Sequence, residues 1–165
     1  MYKSPAENAL IRHRTAVADV GGHAIKEAVT VGVREIDVAM VGRDAMDPEI
    51  ARRFADAEYR GPRVGFQSRI NTDGAHNPVT GRVLQRGELP SLNAFAMISG
   101  GDRARERAMF AGEVDGASRA IWAANVAADE NGISLPNLGM SCAEGTEEIN
   151  AFFDERDILH WRTFG

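Results

Sequence analysis

An α+β fold, with helices packed on one face of an antiparallel sheet, is what this 165-residue sequence predicts. Three observations carry that expectation. Two stretches with apolar residues at helical spacing open the chain. A middle block alternates apolar and polar residues and is cut by glycine-rich turns. Two further stretches with capping signals follow it.

The elements follow in order. Ser4-Pro5-Ala6-Glu7 is a helix start, with a capping serine, proline at the first helical position and glutamate three residues after the cap. Leu10, Val17, Val20, Ala24, Ile25 and Ala28 then form one apolar stripe. Gly21-Gly22 weakens it and permits close approach of another backbone. Gly32 closes that helix, and Ile36, Ala39, Met40 and Val41 begin a second, which Asp47-Pro48-Glu49 kinks or restarts before Ile50 and Phe54. Residues 63–70 (RVGFQSRI) alternate as a strand does, and Gly61-Pro62 precedes them as a breaker. A polar turn at 85–88 leads to a second strand over 89–98, and Ser99-Gly100-Gly101-Asp102 turns the chain so that 103–110 returns antiparallel. Asp115 caps a third helix with Ala117, Ile121, Trp122, Val126 and Ala127 inward. Ser141 to Glu144 is a second capping box, opening a fourth helix with Ile149, Phe152 and Phe153 on its apolar face. Trp161 to Gly165 has the character of a further strand start.

Composition sets outer bounds. A hydrophobic content of 44% supports a core, and the length suggests one domain with no linker or repeat dividing it. A net charge of −5, from 24 acidic and 19 basic residues spread along the chain, offers no basic stripe for nucleic acid. Cys142 is the single cysteine, which excludes an intramolecular disulfide and fits a reducing compartment. No apolar segment reads as a secretory signal or a membrane span, so a cytoplasmic location is expected.

The segment from Asn71 to Thr80 (NTDGAHNPVT) holds one histidine on a turn-rich loop between two strand-like segments. Gly74 and Asn77-Pro78 commit the backbone around His76 to a turn. A loop histidine on a rigid scaffold is a candidate for proton transfer, and equally a turn-stabilising donor. Glu106 lies amid Arg103, Arg105 and Arg107. It is either a carboxylate able to grip a cationic substrate through charge-assisted hydrogen bonds or one member of a solvated salt bridge to those arginines. His13 and His23 follow a helix-surface pattern, and His160 precedes Trp161 near the terminus. No HExxH, CxxC or phosphate-binding glycine motif occurs.

The run from Phe66 to Thr80 (FQSRINTDGAHNPVT), with LQRG at 84–87, SLN at 91–93 and MISG at 97–100, resembles the creatinases, amidinohydrolases of the pita-bread fold and the M24-like peptidase superfamily. The likeness extends through LIRH at 10–13, ADVGG at 18–22, GVREIDV at 32–38, SCAE at 141–144 and RTFG at 162–165. It implies the first half of a pita-bread catalytic domain over 1–165, with the family's amino-terminal domain and the second half of its catalytic domain outside this sequence. It also implies that His76 takes a proton from the attacking water and returns it to the departing nitrogen, while Glu106 holds the guanidinium. Metal-dependent members place two aspartates eleven residues apart, at positions that here hold Asn93 and Ala104, so no metal and no other cofactor is implied. Three places depart from the creatinase pattern. Gly65 and Arg69 stand for tryptophan and glycine, and Gly101-Asp102 for a pair of tyrosines.

The implied activity is metal-independent hydrolysis of creatine to sarcosine and urea by a homodimer, without nucleic-acid or membrane partners. The site is incomplete in this chain, because the family's second histidine, second glutamate and carboxylate-binding arginine fall beyond Gly165. Two alternatives stand beside it: a metal-dependent Xaa-Pro aminopeptidase of the same fold, which Asn93 and Ala104 oppose, and a non-catalytic fragment or dimerising module.

Overall fold

The structure, a computed structural model, describes residues 2–158 apart from Ala75 and Leu138. His160 and the expected extended segment 161–165 lie outside the described residues. The chain divides into two compact units, 1–114 and 115–165.

In the first unit the element order is α1 (Pro5–Ala28), α2 (Glu35–Arg53), β1 (Arg63–Gln67), a 3₁₀ turn (Arg69–Thr72), β2 (Ser91–Ile98) and β3 (Gly101–Ala108). The Ser4–Glu7 capping box forms in full, the serine oxygen accepting from the Glu7 amide and the Glu7 carboxylate accepting from the Ser4 amide at 2.7 Å. α1 buries Arg14, Val17, Ala18, Gly21, Gly22 and Ile25, so its packed stripe includes both glycines, while Val20 and Ala24 are only half-buried. The glycines make room for side chains: a Cβ on Gly21 would lie 2.7 Å from Met46, and one on Gly42 would lie 2.5 Å from Ile25.

α2 runs unbroken through Pro48. It buries Val38, Ala39, Gly42, Met46 and Ile50, whereas Met40 and Val41, two of the apolar residues that signalled the helix, are each 44% exposed. The buried positions recur at spacings of three and four along one face of the helix, and these two residues fall outside it. The sheet has the order β1-β2-β3, antiparallel throughout. β2 and β3 are joined by a two-residue turn in which Ser99 (φ 48°) and Gly100 (φ 71°) are both left-handed, the geometry that matches strand twist.

Register divides the sheet into two faces. Val64 and Phe66 of β1 share one face with Leu92, Ala94, Ala96 and Ile98 of β2, and α1 and α2 cover it. Burial of a side chain such as Phe66 there is worth about 1.5–3 kcal/mol. Arg63, Gly65 and Gln67 share the other face with Asn93, Phe95, Ala104 and Glu106. The strand expected to reach Ile70 stops at Gln67, because Arg69 turns to φ 49° and starts the 3₁₀ turn.

The second unit comprises α3 (Gly116–Ser134) and α4 (Cys142–Asp154), capped by Asp115 and by a complete Ser141–Glu144 capping box. α3 buries only Ala128, and Ala117 and Ile121, expected inward, are exposed. Ile149 of α4 approaches Gly132 of α3, and the Arg156 guanidinium stacks 3.5 Å over the Phe152 ring.

Candidate active site

The candidate residues belong to the sheet face that α1 and α2 leave bare. β1 ends at Gln67, and the chain rises through the 3₁₀ turn into the loop that bears His76. Asn77 fastens this loop. Its side-chain amide donates to the Asn71 carbonyl at 3.2 Å and to the Asp73 carboxylate at 2.5 Å, and its own carbonyl accepts from the Gln67 side chain at 2.6 Å. His76 is exposed, with its ring 5.7 Å from that of Phe95 and tilted by 59°. The two rings border an open depression of about 260 Å³ whose lining includes Arg63, Gly65, Gln67 and Asn93.

Glu106 is exposed on the same face, opposite Asn93 in register, and Asn93 in turn is opposite Gly65. Strand alternation sends the neighbouring arginines to the other face, where Arg105 pairs with Asp19 of α1 and occupies the space beside Gly22. The salt bridge open to Glu106 from sequence is therefore not formed with Arg103, Arg105 or Arg107. Asn93 and Ala104 lie on this face as well, on adjacent strands at diagonal positions. A neutral amide and a methyl group there supply no bridging anionic oxygen for a pair of divalent cations. Of the other described histidines, His13 and His23 are both exposed on α1, and the His13 ring stands edge-to-face with that of Phe54. Cys142 is exposed at the start of α4.

One residue of this region has no role in the sequence reading. Glu35, the first residue of α2, is fully buried. One carboxylate oxygen accepts from the Ser68 amide at 2.8 Å and the Ser68 hydroxyl at 2.7 Å. The other accepts from the Asn71 side chain at 2.8 Å, the Thr80 hydroxyl at 2.7 Å and the Thr80 amide at 3.2 Å. Burial pushes its pKa up, and the hydrogen bonds from Ser68, Thr80 and Asn71 outweigh that, holding it below the ordinary carboxylate value. Next to it, Arg82 donates to the Ser68 hydroxyl at 2.6 Å and pairs with buried Glu88, whose carboxyl is kept low chiefly by that hydrogen bond. An acidic residue at the first helical position was the only local signal for Glu35, and its partners are 33 to 45 residues away.

No family model matches the chain. All 165 residues align at 44% identity with creatinase from Bacillus sp. (strain B-0618), spanning 40% of that protein. The chain is a relative of creatinase. Solved structures give the fold of this creatinase relative. Prolidase from Pyrococcus furiosus superposes with a TM-score of 0.83 at 20% identity, over 93% of this chain and 44% of its own. X-Pro aminopeptidase from Thermotoga maritima gives 0.81 at 16% identity, over 94% and 43%. Escherichia coli aminopeptidase P gives 0.79 at 20% identity, over 93% and 34%. The fold is α+β with an antiparallel sheet and matches part of the pita-bread fold of these hydrolases, since the chain spans less than half of each of them. Among the described residues no helix is long and apolar enough to cross a membrane.

Proposed function

We propose that this creatinase relative carries the His76-bearing part of a metal-independent amidinohydrolase site acting on creatine. The observation that supports the reading most is the register, which puts Glu106 on the sheet face of Phe95, the ring that His76 meets, and the arginines around Glu106 on the opposite face. In the reaction, the His76 imidazole takes a proton from water as the water oxygen bonds to the guanidinium carbon. The imidazolium then protonates the methylated nitrogen, the carbon–nitrogen bond breaks with its electron pair going to that nitrogen, and sarcosine departs. The remaining protonated urea loses its proton to the amine or to solvent. Glu106 holds the guanidinium by charge-assisted hydrogen bonds, and Asn93 and Ala104 leave the chemistry to the imidazole. The relative is longer than this chain, so the other contacts to substrate, and the homodimer, belong to the proposal for the whole protein.

Urea release from creatine by the full-length protein tests it. His76→Ala is expected to lower kcat by about 10²–10⁴-fold, the typical worth of general acid–base catalysis. Glu106→Gln is expected to lower kcat/KM by about ten- to a hundredfold, from loss of a hydrogen bond to a charged group worth about 1.5–3 kcal/mol. Undiminished activity of His76→Ala sinks the assignment. Cleavage of Xaa-Pro peptides that depends on added divalent metal would replace it with the peptidase reading.

A further inference from the structure

We propose that Glu35 is the positioning residue of the His76 loop, a buried anionic clamp that ties both roots of the loop to the first turn of α2. The inference rests on the reading of His76 as the proton-transfer group. Ser68 precedes the loop and Asn71 and Thr80 are its two ends, and all three donate to the one carboxylate. The same helical turn grips the returning chain a second way. The Glu35 amide donates to the Arg82 carbonyl at 2.9 Å and the Ile36 amide to the Thr80 carbonyl at 3.0 Å. Arg34 gives α2 no side-chain cap, so these carbonyls fill that place, and Thr80 is held through its amide, its hydroxyl and its carbonyl. Between the clamped roots, the loop is also held by the contacts of Asn77, by Val79 packed against the core and by the ring contact of His76 with Phe95. A packing role would need only a side chain of this volume. This site needs acceptors alone, because a backbone amide points at each of the two oxygens, Ser68 at one and Thr80 at the other. A glutamine has one amide group too many: whichever way it flips, its NH₂ faces a backbone N–H that cannot rotate away.

Glu35→Gln in the 165-residue chain therefore separates positioning from packing. Amide hydrogen exchange at Ser68, Asn71 and Thr80 is expected to speed up by about tenfold or more, while Leu92 to Ile98 in β2 stay near their parent rates. The nuclear Overhauser contact between the His76 and Phe95 rings is expected to weaken with it. Glu35→Asp, which keeps an anionic acceptor on a shorter stem, is expected to restore part of the protection. Thr80→Val removes only one donor to the carboxylate and serves if Glu35→Gln does not fold; it is expected to accelerate the same amides. Parent-like loop exchange and an intact ring contact in either variant would overturn the proposal, as would equal acceleration of loop and β2. The urea assay on His76→Ala bears on the catalytic reading alone, so the two failures are distinguishable.

Discussion

Arg69 has a φ of 49°, a left-handed conformation that costs an L-residue roughly 1–2 kcal/mol and costs glycine nothing sterically. The conformation is forced by position: Ser68 is bound to Glu35 on one side, and the 3₁₀ turn must deliver the Asn71 side chain to the same carboxylate two residues later. Creatinases, by the resemblance, have glycine here. Arg69→Gly is accordingly expected to raise stability by about 0.5–1 kcal/mol, after the larger backbone entropy that glycine loses on folding, measured as an upward shift in urea midpoint with an unchanged slope. A neutral or negative change would mean that the exposed guanidinium supports the turn. At this scale the sequence was partly legible. The turn around His76 followed from Gly74 and Pro78, and the face of Glu106 was available from strand alternation alone, since residues 103, 105 and 107 must all point away from it. Glu35 was not legible, because nothing local distinguishes a buried acceptor of distant donors from an ordinary acidic residue in a helix's first turn.

Among the elements, the α1–α2 pair decides how firmly the sheet is backed. Gly42 lies against Ile25, which is wholly buried, and an added Cβ would stand 2.5 Å from its Cγ1 and 2.6 Å from its Cδ1. The Ile25 side chain is confined in the core and has no solvent to swing into. Gly42→Val is expected to destabilise the chain by about 1–3 kcal/mol through overpacking, read from the denaturant midpoint; no loss would show that the two helices can separate freely. Sequence reading succeeded for elements whose signal is local. The Ser4 and Ser141 capping boxes, the Asp115 cap and the Ser99-Gly100 hairpin each involve a few consecutive residues. It erred on helix faces and one strand end. Met40 and Val41 are apolar yet exposed, Arg14 is buried with its guanidinium donating to the Ser99 carbonyl at 3.1 Å, and α3 buries one alanine. Those outcomes depend on what each helix meets across space, which periodicity along one helix does not encode.

For the molecule as a whole, the division at Val114 separates the candidate site from the last two helices. The residues of the candidate site, from Glu35 through His76 to Glu106, lie in the first unit. The buried apolar cluster that supports it runs from Val17 to Ala111. Asp115, where the second unit begins, is occupied locally, its carboxylate accepting from the Ser118 amide at 2.7 Å and the Ser118 hydroxyl at 3.1 Å. No linker signature marks this point, because a helix cap and a compact-unit boundary coincide there and the cap is what composition registers. A chain ending at Val114 is therefore expected to unfold cooperatively in urea, and its Ser68, Asn71 and Thr80 amides are expected to exchange at rates within about threefold of those in the longer chain, a difference below ~1 kcal/mol of local stability. Noncooperative unfolding of 1–114, or loss of protection at those three amides with β2 still protected, would show that α3 and α4 help hold the His76 loop. In that case the site would have to be understood from all 165 residues rather than from the first unit.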